Sequence, residues 1–149
     1  MLNNITAAII HWNYTYLAGI PPENFTLGQC FTTNLTAGET PVSSTPINIT
    51  FADLPNNVLG QTVVIVKEEV IAGVVITLDV VELLEILPGN YDWANVVAHE
   101  IGHGVGLGHS GPPGSLMFKF AEFLFFTSIT TDFLPLSQSS INTLQRFYG

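Results

Sequence analysis

The chain has 149 residues, 47% of them hydrophobic and only 10% charged, with a mean hydropathy of +0.41. That is long enough for one domain with a real core, and so little charge means that uncharged polar groups, chiefly Thr, Ser and Asn, must cover the surface. The formal net charge is −9, with Lys67, Lys119 and Arg146 as the only cations, which excludes the basic patches of nucleic-acid binding and docking on anionic membranes.

From the N-terminus, Ile5, Ala8, Ile9, Trp12 and Tyr16 recur at helical spacing and predict an amphipathic helix over about 4–15. Pro21-Pro22 ends it. Residues 25–36 alternate loosely as a strand, and 37–46, rich in Thr, Ser, Pro and Gly, read as loop. Ile47 to Phe51 is a strand stopped by Pro55-Asn56-Asn57. Residues 61–70 and 73–81 are β-branched runs that read as a hairpin turning at Ala72-Gly73. Lys67-Glu68-Glu69 would keep an exposed edge of that hairpin from aggregating. Pro88-Gly89-Asn90 is a turn, and Asp92 is placed to N-cap a helix running to about Val105. Near the end Ser137 can cap a helix whose Ile141, Leu144 and Phe147 or Tyr148 face the core.

Asn-x-Thr sequons at Asn4, Asn13, Asn24, Asn34 and Asn48 suggest a glycosylated, extracellular or cell-surface chain. Met1-Leu2-Asn3-Asn4 has no cationic start and no cleavage pattern, so no signal peptide is read here. No apolar run of about 18 residues escapes interruption by charge, so no transmembrane helix is expected. Cys30 is alone and cannot form an intrachain disulfide. It reads as a small buried apolar residue, with a zinc-capping thiolate as the alternative.

The densest chemistry lies in His99-Glu100-Ile101-Gly102-His103-Gly104-Val105-Gly106-Leu107-Gly108-His109, the pattern H-E-x-x-H-x-x-G-x-x-H. On an α-helix His99 and His103 project from one face, one turn apart, and can grip a single ion. Glu100 is rotated by about 100° from His99, near such an ion without ligating it. Gly106 can take positive φ and leave the helix sharply, bringing His109 back as third ligand. Three protein ligands leave a tetrahedral position open for water, the signature of a catalytic zinc.

This motif resembles that of the metzincin metallopeptidases, and a methionine-turn candidate follows in Ser115-Leu116-Met117-Phe118. Ser110 after the third His, and this Leu-Met-aromatic run at this distance, are most similar to the matrixin branch. Residues 136–149 resemble the last matrixin helix, and Ile47 to Ala52 their middle strand. The likeness is close over about 90–149 and looser before. Gly108 stands where matrixins often have Asp, and Lys119 where Pro is usual. Lys119 also argues against astacins and serralysins, which carry Tyr there. Ser139-Ser140 replaces the paired Asp of the last helix, so a salt bridge from a processed N-terminus is not expected. His11 is the only other histidine; it reads as a helix-face residue without a role. The family's second, His-rich zinc site and its inhibitory propeptide cysteine are not found.

The resemblance implies an α+β, metzincin-like zincin fold. A twisted mixed sheet of four to five strands would carry an N-terminal helix, an active-site helix and a C-terminal helix. The family's first strand would be missing or supplied from elsewhere, by a partner strand or a flanking domain. It implies one catalytic domain, 1–149, divided into an upper part to about 106 and a lower part from 107. The activity implied is a zinc-dependent endopeptidase acting on extended polypeptides. One Zn²⁺ would sit on His99, His103 and His109 with Glu100 as general base. Gly106 and Met117 would be structural at the site, and Phe118 and Phe120 would line the substrate pocket. The run 62–70 is the candidate edge strand for substrate pairing. Acidic residues are too scattered to define a calcium loop, which leaves calcium undecided. The alternative is a zinc-binding structural or binding module of a surface or virion glycoprotein with little or no proteolysis. An intact Glu100 argues against it.

Overall fold

A computed structural model describes residues 2–21, 25, 31–32, 47–55, 58–68, 70–79, 90–119 and 132–149. Its elements in chain order are α1 (Leu2–His11), β1 (Phe31–Thr32), β2 (Ile47–Ala52), β3 (Gly60–Lys67), β4 (Val70–Asp79), α2 (Asn90–Gly104) and α3 (Gln138–Tyr148).

Helix α1 continues as a wider π-helical turn over Trp12–Tyr16, closed by the Leu17 N–H on the Trp12 carbonyl at 2.8 Å. The helical stretch therefore ends five residues before Pro21. Ile5, Ala8 and Trp12 are buried, as their spacing predicts, and Ile9 and Tyr16 pack against them. Small Ala8 and flat Trp12 let α1 approach α2, where the Trp12 indole donates to the Ala98 carbonyl at 3.0 Å.

The four described strands run β1-β2-β4-β3, with β1, β2 and β4 parallel and β3 antiparallel to β4 at one edge. Of the expected strand over 25–36, Phe31–Thr32 is described as strand. Phe25 lies outside it, its ring 4.5 Å from that of Tyr148. Cys30 and the loop over 37–46 lie outside the described residues. Among those residues no strand precedes α1. Ile47 and Ile49 of β2 and Val74, Ile76 and Leu78 of β4 share one buried cluster with Trp12, Val97, Ile101 and Val105. Asn48 is half-buried on the interior strand β2, and its Oδ1 is buried without a hydrogen-bond partner among the described residues. Glycan acceptors lie on exposed loops, so this sequon does not fit that reading.

Three expectations are corrected. The hairpin turns between Lys67 and Val70, where Glu68 takes φ 52°. Ala72-Gly73 instead lies within β4: Ile65 pairs with Gly73 and Val66 with Ile71, leaving Ala72 as the extra residue of a β-bulge. Glycine inside a strand marks such a bulge as readily as a turn. Helix α2 begins at Asn90, so Asp92 sits inside the first turn rather than capping it. On α3 the buried face is Ser140 and Leu144, with Tyr148 packed behind. Ile141 and Phe147 are 39% and 51% exposed. Tyr148 takes the inner position because its hydroxyl reaches the Val105 carbonyl at 2.7 Å. The expected cap holds, since the Ser137 hydroxyl accepts the Ser140 N–H at 3.2 Å. No described helix is long and apolar enough to cross a membrane.

Candidate metal centre

The C-terminus of α2 builds the centre. Gly106 takes φ 102°, the Gly106 N–H donates to the His103 carbonyl at 3.0 Å, and the Leu107 N–H to the Gly102 carbonyl at 2.9 Å. This paired closure is the Schellman end of a helix, which requires a left-handed residue and so favours glycine. The turn also seats a side chain, because the Leu107 carbonyl meets the Nδ1 of His103 at 2.8 Å. The chain then returns His109 to the first two imidazoles.

The ligand atoms of His99, His103 and His109 lie within 4.8 Å of one another. His103 Nε2 is 3.1 Å from His99 Nε2 and 3.2 Å from His109 Nε2. Tetrahedral ligands at zinc–nitrogen distances of 2.0–2.1 Å stand about 3.3 Å apart. Backbone carbonyls take the Nδ1 side of two rings: Leu116 meets His99 at 2.6 Å and Leu107 meets His103 at 2.8 Å. That fixes the proton on Nδ1 and turns the Nε2 lone pairs inward. Converging lone pairs repel unless a cation lies between them, so the donor set fits a divalent metal that binds imidazole.

Electrostatics keep the His99 and His109 rings available. Burial pushes the His99 imidazole down to about 4, with the His103 charge helping and the Leu116 hydrogen bond opposing. Burial and then the neighbouring His103, His99 and Lys119 charges lower His109, against the pull of Glu100. Neutral imidazole is the form that binds metal.

Glu100 is buried behind the triad on the β3 side. The Thr62 hydroxyl lies 2.5 Å from its Oε2 and 3.1 Å from its backbone carbonyl. Gly60 makes room: a Cβ there would fall 2.8 Å from Glu100 Cγ. Burial raises the Glu100 carboxyl above its usual range, while the Thr62 hydrogen bond and the His103 and His109 charges draw it back. Spacing within the motif carries no sign of Thr62 or Gly60, which are met across the sheet edge.

Met117 is fully buried beneath α2, against Gly102. Its carbonyl accepts the Ser110 N–H at 2.9 Å, and the Leu116 N–H donates to the Pro135 carbonyl at 2.8 Å. The turn that carries Met117 thus also offers the carbonyl that seats His99. Ser110 ties this loop to α3, its hydroxyl 2.9 Å from that of Ser140. Asn95 of α2 donates to the Asp132 carbonyl at 3.1 Å and accepts the Leu134 N–H at 2.9 Å, pinning the chain that approaches α3. His11 stacks on Phe133 at 4.1 Å between ring centroids, so it has a packing role.

The centre opens into a cavity of about 840 Å³ lined by the three histidines, Glu100, β3 and Phe118. Phe120 lies outside the described residues. Lys119, exposed, stands at the rim.

A family model described as Matrixin matches residues 24–149. Interstitial collagenase A of Mus musculus is 43% identical over 60 residues, 40% of this chain and 12% of that protein. Neutrophil collagenase of Homo sapiens is 40% identical over 60 residues, again 40% of the chain and 12% of the relative. Matrix metalloproteinase-27 of Homo sapiens is 43% identical over 54 residues, 36% and 10% of the two chains. The matched region thus spans about an eighth of the length of these two collagenases.

Proposed function

Because this chain belongs to the matrixin family, whose cofactor is a catalytic zinc, we propose that it is a zinc-dependent endopeptidase acting on extended polypeptides outside the cell. The observation that carries this reading is a carboxylate held beside three converging imidazole nitrogens in an open cleft. His99, His103 and His109 are the proposed metal ligands, Glu100 the general base, and residues 1–149 one catalytic domain.

Bound between the imidazoles, the metal would polarise the scissile carbonyl and make an attacking water acidic near neutral pH. The rest falls to the chain's own residues. Thr62 engages Oε2 of Glu100 and steadies the carboxylate, which would take the proton from the attacking water. Glu100 then returns that proton to the leaving amine as the C–N bond breaks. Such proton transfer contributes roughly 10²–10⁴ in rate. His99 and His103, fixed through Nδ1, keep their Nε2 lone pairs directed inward. β3 is the edge strand of the described sheet and borders the cavity. A substrate pairing with its free edge would lie extended across Glu100.

A metal-binding module without catalysis has no use for a buried carboxylate at this position, where desolvation is costly, so the enzymatic reading is preferred. The test is cleavage of a peptide pool by zinc-loaded protein with and without chelator, alongside Glu100→Gln. Chelator-sensitive cleavage that falls at least a hundredfold in the variant, with zinc still bound at one equivalent, is expected. Bound zinc with no cleavage of any peptide overturns the reading.

A further inference from the structure

The cleft continues past the imidazoles. Thr62, Val64 and Val66 project from the same face of β3 and line one cavity with the histidines. At its far end Ile71 of β4 and Phe147 of α3 close over Gly106. A Cβ on Gly106 would fall 3.1 Å from Phe147 Cε2 and 4.0 Å from Ile71 Cδ1. Val66 is 59% exposed and Phe147 51% exposed. Phe147 lies outside the inner face of α3, which is Ser140, Leu144 and Tyr148. Arg146 lies over the ring, 5.2 Å from its centroid. Adjoining apolar side chains left open at the end of a binding cleft are characteristic of a contact surface.

Spacing says which part of a ligand would arrive there. A strand advances about 3.3 Å per residue, so Val66 stands roughly 13 Å along β3 from Thr62. A polypeptide paired with β3 advances at the same rate. The residue over Val66 is therefore about four positions from the one beside Thr62 and Glu100.

We propose that Val66, Ile71, Gly106 and Phe147 form a remote subsite that takes a bulky apolar substrate side chain about four residues from the cut bond. The proposal rests on the endopeptidase reading of the same cleft and adds the substrate class to it. An aliphatic or aromatic side chain would cover these groups. An amide would lose water there without gaining a partner from the Val66, Ile71 or Phe147 side chains. A carboxylate could reach only the Arg146 guanidinium over the ring, which is why Glu is among the test residues.

The test uses peptides of one backbone sequence that differ only at the third, fourth or fifth residue on either side of the cut. Each carries Leu, Phe, Asn or Glu at the varied position. Binding is measured by calorimetry on zinc-loaded Glu100→Gln protein, and kcat/KM on the wild type. Leu or Phe at one position near the fourth is expected to be preferred over Asn at least tenfold in both. Phe147→Ser and, separately, Val66→Thr should bring that ratio towards one. The ratio is taken within each protein, so a general loss of activity or folding in one variant cancels or is covered by the other. Indifference of wild-type and Glu100→Gln protein at all these positions overturns the subsite, as does a preference that survives both substitutions. Selective binding without any turnover would instead overturn the catalytic reading and leave the subsite standing.

Discussion

Replacing Gly102 by alanine tests how the methionine turn supports the metal centre. On helix propensity alone the change should stabilise α2 by about 1 kcal/mol. The tertiary structure reverses that sign. The new Cβ would fall 2.4 Å from Met117 Sδ, 3.0 Å from its Cε and 3.4 Å from Trp12 Cζ2. Ordinary contact begins at 3.4 Å, so the sulfur must move by about 1 Å. Met117 and Trp12 are both 0% exposed, so the sulfur would have to move within the packed interior rather than out into solvent. Overpacking of this kind costs about 1–3 kcal/mol, which leaves a net loss near 1 kcal/mol and a Tm lower by about 2–4 °C. The larger effect should be on metal. Leu116, beside Met117, supplies the carbonyl at 2.6 Å from His99 Nδ1, and losing such a partner weakens metal affinity about 10–100-fold. Thermal melts of chelated protein and zinc competition against a chromophoric chelator read the two effects separately. Gly108→Ala is the control: no atom lies within 4 Å of its added Cβ, so neither value should fall. A Gly102→Ala protein that melts higher and holds zinc as tightly as wild type would refute the reasoning.

Thr62→Val keeps shape but removes the hydroxyl 2.5 Å from Glu100 Oε2. It should lower kcat about tenfold with little change in KM, and Thr62→Ser should restore most of it. Steady-state kinetics of both variants decide this, and equal kcat in Val and wild type would remove Thr62 from the site. Asn95→Ala breaks two hydrogen bonds that hold Asp132 and Leu134. It should cost about 1–3 kcal/mol and speed hydrogen exchange at Leu134; unchanged exchange there would contradict the pinning role. The chelated protein should lose stability as pH falls from about 6.5 to about 4. In that window His99 takes up a proton only when unfolded, because its folded value is about 4. The unfolded state then binds more protons, so stability drops with pH, by roughly 3 kcal/mol for His99 alone. Glu100, raised by burial, acts in the opposite sense and trims that loss. Denaturant titrations across this range check the slope, and a flat or inverted profile would count against the burial of a neutral His99.

What could be read from sequence is what short-range spacing controls. The offsets of His99, His103 and His109, the left-handed Gly106 and the Ser137 cap each depend on neighbours within about two helical turns, where backbone geometry leaves little choice. Strand β2 and the helical stretch of α1 followed from apolar periodicity in the same way. The misread features are those that several local solutions satisfy equally well. A glycine at 73 suits a turn or a bulge, and pairing with Ile65 selected the bulge. Phe147 and Tyr148 are adjacent aromatic side chains that could each serve as the inner residue of α3, and the Tyr148 hydroxyl reaches the Val105 carbonyl. The seats of the site are longer in range still. Thr62 meets Glu100 across 38 residues and Leu116 meets His99 across 17. Such contacts form only once sheet, helix and loop are packed, because a hydrogen bond depends on position in space and leaves no period in the chain. The chemistry was therefore written locally in the motif, while tertiary packing decided how its carboxylate and imidazoles are held and what borders the cleft.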